Sequence, residues 1–200
     1  MMNACTRWSF LAVPVLAALG CSDPVPLPAE GAVTLGLQGP MQVTQTSCPV
    51  GAGRSYQVGF RAKDGSVQAP TEILPGKSVI DGENSTVVSC SVHKQSDGSY
   101  AFSGSLQAPS SEHDPINVTI SNGLISSDGV TGTGAVSVFT PQLAGTFASG
   151  STPCTFKVIK NQVKGGAIWA SFSCPSIAQP PQNVCSIVSS IIVFGNCAGS

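Results

Sequence analysis

The chain has little charge and few of the side chains that usually carry acid–base catalysis. Asp, Glu, Lys and Arg make up 10% of its 200 residues, against about 25% in average soluble proteins. The formal net charge is −1, and the few Lys and Arg residues are scattered. A phosphate-binding surface is therefore not expected, and nucleic acid is excluded as a partner. Only two histidines are present, so the chain offers little material for proton transfer.

Long apolar runs and helical stripes are also missing. The apolar segment at residues 8–19 has 12 residues, which is too few to cross a bilayer core as a helix. Residues 186–194 are strongly apolar but also too few, and they are expected to form a central strand. No segment shows a sustained helical period, while 22 glycines and 15 prolines provide many turn points.

The start of the chain has the order of an export signal. Arg7 precedes the apolar segment, which is followed at once by Gly20 and Cys21. A cysteine directly after the small residue resembles the lipobox of bacterial lipoprotein precursors, and the resemblance covers residues 1–21. It implies a diacylglyceryl thioether on Cys21, cleavage after Gly20 and acylation of the new amino terminus by a chain such as palmitate. The alternative is an ordinary secretory signal whose cysteine is incidental.

This order divides the chain into three parts. Residues 1–20 are expected to be a lipoprotein signal peptide, residues 21–30 a lipidated cysteine with a Pro-rich tether, and residues 31–200 a single domain. Three prolines within residues 22–30 exclude the interior of a helix or sheet and favour an extended tether. The resemblance implies a lipid-anchored place in the cell envelope. Ser22 after the cysteine further resembles the sorting pattern for the outer membrane of Gram-negative bacteria.

From Gly31 onward the apolar residues recur with a period of two, which is typical of half-buried strands. Strong turn dipeptides separate the runs, and Asp97-Gly98 predicts a hairpin over residues 86–107. About ten strands at roughly 8–15-residue spacing predict an all-β fold, an antiparallel β-sandwich. The clearest runs are Val88, Cys90 and Val92; Tyr100, Phe102 and Leu106; and Ile116, Val118 and Ile120.

Six cysteines remain after Cys5 and Cys21 are set aside, and an even number behind an export signal predicts disulfides. They are Cys48, Cys90, Cys154, Cys174, Cys185 and Cys197. Cys154 and Cys174 are nearly equidistant from a loop at residues 161–166, so a hairpin would place them opposite each other. Cys185 with Cys197 is the next most local pair, and Cys48 with Cys90 follows by elimination. A zinc site is the weaker alternative, because no C-x-x-C motif occurs.

Two features offer some functional chemistry. Glu112, His113 and Asp114 form the densest polar cluster, which could ligate a divalent metal or polarise a proton transfer, although it lies in a loop where charge is common. His93 falls on the polar face of a strand and is expected to be exposed. Trp169 is out of phase with its apolar neighbours, so it is expected on the opposite face, either covered or open for stacking on a sugar.

The sequence therefore predicts a non-enzymatic envelope lipoprotein, a structural or interaction module with an envelope protein or glycan as a possible partner. No catalytic residue, cofactor or metal is assigned. The alternative is a glycan or small-ligand binding module in which Trp169 contributes. A less favoured alternative is a hydrolase, which would need His93 or His113 to converge with carboxylates in a pocket.

Overall fold

The computed structural model describes residues 25–39, 48–50, 53–59, 78–109, 115–179 and 183–199. These residues form eleven strands and one short 3-10 turn, Pro141–Leu143, with no α-helix among them. In chain order the strands are β1 (Glu30–Gln38), β2 (Arg54–Val58), β3 (Val79–Ile80), β4 (Val87–Lys94), β5 (Tyr100–Pro109), β6 (Pro115–Ile125), β7 (Thr131–Thr140), β8 (Gly145–Ala148), β9 (Cys154–Lys164), β10 (Ala167–Gln179) and β11 (Asn183–Gly195).

The strands join into one antiparallel sheet in the order β2-β1-β11-β10-β8-β7-β6-β5-β4. Outside this path, β9 pairs with β10 and β7, and β3 pairs with β1. The far edge, β4, is joined to the segment after β11 through a parallel bridge between Ser91 and Ala198. The N–H of Val92 donates to the carbonyl of Ala198, and the N–H of Ala198 donates to the carbonyl of Cys90. These bonds close the sheet partly, as a small barrel.

The predicted all-β, disulfide-stapled antiparallel fold is confirmed, but its finer description as a ten-strand sandwich of two sheets is not what the structure has. Eleven strands form one partly closed sheet. The reason is that alternation shows only that each strand buries one face. A sandwich and a barrel both meet that condition, and the difference lies in contacts between strands distant in sequence.

The enclosed face of the sheet forms the main hydrophobic core. Phe156 lies at its centre, with its ring centroid 5.1 Å from that of Phe102 in an edge-to-face arrangement. The ring of Phe172 stacks on the other side at 5.6 Å. All three side chains are buried, as the alternating pattern predicted for Phe102 and Phe172.

The hairpin predicted over residues 86–107 is confirmed as β4 and β5, which pair in register from Val87–Gln107 to Lys94–Tyr100. The Asp97 carboxylate accepts hydrogen bonds from the hydroxyl of Ser99 at 2.6 Å and from its N–H at 2.9 Å. These bonds, the hydroxyl first, lower the pKa of Asp97 below its ordinary value. The turn is therefore held by an ionised carboxylate at neutral pH.

Three disulfides staple the sheet: Cys48–Cys185, Cys90–Cys197 and Cys154–Cys174. The predicted bond between Cys154 and Cys174 is confirmed. The predicted pairs Cys185–Cys197 and Cys48–Cys90 are wrong, because proximity in sequence does not decide which strands are neighbours.

The tertiary pairing explains both corrections. β11 pairs with β1 as far as Gln38–Ser186, so the end of β1 lies next to Cys185, and Cys48 follows this end by ten residues. At its other end, β11 leads into the tail that bridges to β4 at Ser91, which brings Cys197 beside Cys90. The expected central position of residues 186–194 is confirmed, since β11 pairs with both β1 and β10.

Candidate functional site

A second, smaller apolar cluster lies on the outer face of β1, β11 and β10. Ala32, Val193 and Trp169 are directly opposite one another across these three strands. They form a cluster separate from the main core, with Ile159 and Ile191 packed against it. The prediction that Trp169 lies on the opposite face is therefore confirmed. Its side chain is covered, however, with only 4% of its surface exposed.

β9 has a bulge opposite Trp169. Ile168 on β10 faces Val163 on β9, but Ala170 faces Val158. β9 thus advances five residues where β10 advances two, which interrupts the ladder at Trp169. The same bulge shows why the predicted loop at residues 161–166 was too long: β9 continues to Lys164, and the turn is Gly165-Gly166.

A cavity of about 570 Å³ lies over this part of the outer face. Trp169 and Val193 line it together with Glu30 on β1 and Lys164 on β9. A neighbouring depression of about 480 Å³ shares Glu30 and Lys164 and extends to Leu27 in the segment that precedes β1. The cavity therefore lies at the end of the domain where the chain enters it.

The floor between the two charged side chains is made of small residues. Glu30 faces Gly195 across β1 and β11, while Lys164 faces Ala167 across β9 and β10. A Cβ atom at Gly195 would lie 2.6 Å from Oε1 of Glu30, so only glycine leaves the Glu30 carboxylate in its place. The absence of a side chain at Gly195 thus lets the Glu30 side chain lie over β11.

Glu30 and Lys164 form no ion pair within the described part of the chain. Glu30 is half-buried and Lys164 is exposed, so both charged groups are accessible to water. The indole Nε1–H of Trp169 is buried and has no hydrogen-bond acceptor among the described residues, which is rare for a buried donor. The cavity therefore combines two charged side chains with partly apolar walls.

The sequence-predicted candidates are not brought together here. His93 is exposed on β4, as predicted, and its ring lies against Gly199 in the tail after β11. The cluster of Glu112, His113 and Asp114 lies outside the described residues, as does Cys21. Within the described ranges, no group of three or more His, Cys, Asp and Glu side chains is placed to hold a metal ion.

No helix among the residues described here has the length and apolarity needed to cross a membrane.

Sequence reasoning missed Glu30 and Lys164 as members of one site. Glu30 was assigned to the tether, whereas it begins β1. Lys164 was assigned to a loop, whereas it ends β9. No motif links the two residues, since their proximity depends on the strand order β1-β11-β10-β9. Only the out-of-phase position of Trp169 marked this face in the sequence.

Comparison of the chain with protein-family models, with curated proteins and with solved structures finds no match.

Proposed function

We propose that the protein is a lipid-anchored lipoprotein of the bacterial cell envelope, with a non-enzymatic structural or interaction role. The observation that carries the proposal is the lipobox-like segment ending in Gly20-Cys21, followed by a domain with three disulfides. Disulfides persist in oxidising compartments such as the periplasm. Export and lipidation account for both features together, and the outer membrane is the proposed location.

The segment before β1 supports a tethered arrangement. Val25 and Leu27 are 87% and 72% exposed, so they pack little against the domain. The side-chain amide of Asn196 donates to the carbonyl of Pro28 at 3.2 Å and fixes the point where the chain joins the sheet. Glu30 lies nine positions after Cys21, which allows a reach of at most about 30 Å. In this proposal the domain stays close to the membrane surface.

Changing Cys21 to Ser tests the anchor. We expect the protein to move from the detergent phase to the aqueous phase in detergent partition and to lose incorporation of labelled palmitate, because stable anchoring needs the acyl chains. Cys5→Ser is the matched control, since Cys5 lies in the proposed signal peptide. Partition of Cys21→Ser that is unchanged from the wild type would refute lipidation.

Replacing His93 and His113 together with Ala tests the non-enzymatic role. We expect thermal stability within about 0.5 kcal/mol of the wild type, because surface substitutions rarely cost more. The phenotype of a deletion strain should be complemented fully by the double variant. A double variant that folds normally but fails to complement would overturn the proposal in favour of an enzyme acting through the loop with Glu112, His113 and Asp114.

Small-ligand binding is a second candidate function, favoured by the cavity beside Trp169. Glycan stacking on an open indole face has less support, because Trp169 is 4% exposed. The opposite charges of Glu30 and Lys164, which line the cavity, favour a charged ligand over a neutral glycan.

A further inference from the structure

We propose that the cavity beside Trp169 binds a small zwitterion, a free amino acid or a dipeptide. Its ammonium group would contact Glu30 and its carboxylate would contact Lys164. This site is distinct from the lipid anchor, and its occupancy does not depend on the lipidation of Cys21.

Two side chains of opposite charge line the cavity. Glu30 lies on β1 and Lys164 on β9, and β11 and β10 lie between them. Three strand spacings separate the two backbones by about 14 Å. Since neither side chain forms an ion pair within the described ranges, both charges are available to a ligand. A molecule with an ammonium group at one end and a carboxylate at the other complements this arrangement.

The space between the charges fits a small extended molecule. Ala167 contributes a small side chain to the floor, and Val193 offers apolar contact for a ligand side chain. The volume of about 570 Å³ is in the range of about 300–1,000 Å³ found for small-molecule sites. The cavity is too small to enclose a folded partner, which favours a ligand of one or two residues.

The ring of Trp169 lines the cavity and can therefore report on its occupancy. Its Nε1–H is closed off from the cavity, so the indole is not a hydrogen-bond donor to the ligand. Recognition depends on the two charges, and a neutral sugar would leave the charges of Glu30 and Lys164 unmatched.

Fluorescence of Trp169 reports directly on the site. Trp8 lies in the proposed signal peptide, so Trp169 is the only tryptophan of the mature chain. We would titrate the mature protein with free alanine and leucine, with alanyl-alanine and leucyl-leucine, with the N-acetylated and C-amidated forms of both dipeptides, and with maltose. We expect a saturable change in emission with at least one free zwitterion, and at least tenfold weaker binding of each blocked form.

Charge variants assign the two ends of the ligand. Glu30→Gln should weaken binding of the free dipeptide at least tenfold and remove its advantage over the N-acetylated form. Lys164→Met should do the same for the C-amidated form. Glu83→Gln and Lys157→Met are matched controls, because both residues are exposed and neither is among the residues lining the cavity. The controls should bind like the wild type.

Three results would overturn the proposal. The first is no saturable response to any of the free zwitterions, with circular dichroism showing a folded protein. The second is equal affinity for free and blocked dipeptides, which would show that the charges do not recognise the ligand. The third is saturable binding of maltose alone, which would assign the cavity to a saccharide.

Discussion

Replacing both Cys48 and Cys185 with Ala is expected to lower the free energy of unfolding by about 5 kcal/mol, because this disulfide closes the longest loop among the three that the structure describes. Its cysteines are 137 residues apart, against 20 for Cys154 and Cys174. The entropy that a crosslink removes from the unfolded chain grows with loop length, and the shorter loop gives about 3 kcal/mol. Urea unfolding of the exported domain measures both losses.

The matched control is the double variant Cys154→Ala with Cys174→Ala, which removes the short loop from the same sheet. Non-reducing peptide mapping of the wild type should recover Cys48 linked to Cys185 and Cys90 linked to Cys197. Recovery of Cys185 linked to Cys197 would contradict the structure. A larger loss for the short loop than for the long one would contradict the entropic argument.

Changing Phe156 to Ala is expected to cost about 4 kcal/mol, in the range measured for buried aromatic residues. The side chain is 0% exposed, and both neighbouring rings, Phe102 and Phe172, lose a partner. The collapse of the surrounding core is limited, because the backbone of β9 is paired on both sides, with β10 and β7. A loss of this size is a large share of the about 5–15 kcal/mol that stabilises a typical domain.

Phe139→Ala on β7 is the control, since this ring is 38% exposed and has less to lose. We expect it to cost no more than about 1 kcal/mol. Thermal or chemical unfolding compares the two variants under the same conditions. Equal losses at Phe139 and Phe156 would show that the ring cluster of Phe102, Phe156 and Phe172 is not the centre of the core.

Local patterns predicted much of the strand structure. The apolar phase of β4 and the Asp97-Gly98 turn were sufficient for the first long hairpin, because both signals act between residues close in sequence. The Cys154–Cys174 bond was predicted because the two cysteines are nearly equidistant from the turn of one hairpin. The turn is shorter than predicted, and the additional residues form the bulge in β9.

The candidate site was predicted only in part, because it depends on non-local neighbours. The out-of-phase position of Trp169 placed it on the outer face, but the sequence contains no signal that Glu30 and Lys164 line the same cavity. Glu30 and Lys164 come to line one cavity because β11 and β10 lie between β1 and β9 in the sheet. Periodicity describes the faces of a strand and not the order of strands in a sheet.

By itself the sequence determined the all-β class, the faces of the strands and the one disulfide that closes a hairpin. It also contains the segment that resembles an export and lipidation motif. Each of these depends on residues within a few positions of one another, where turn chemistry and alternation act directly. Only the tertiary structure decided the partial closure of the sheet, the partners of Cys48 and Cys90, and the cavity between Glu30 and Lys164. The physical reason is that these features depend on strand order, which is set by how the whole chain buries its apolar faces together.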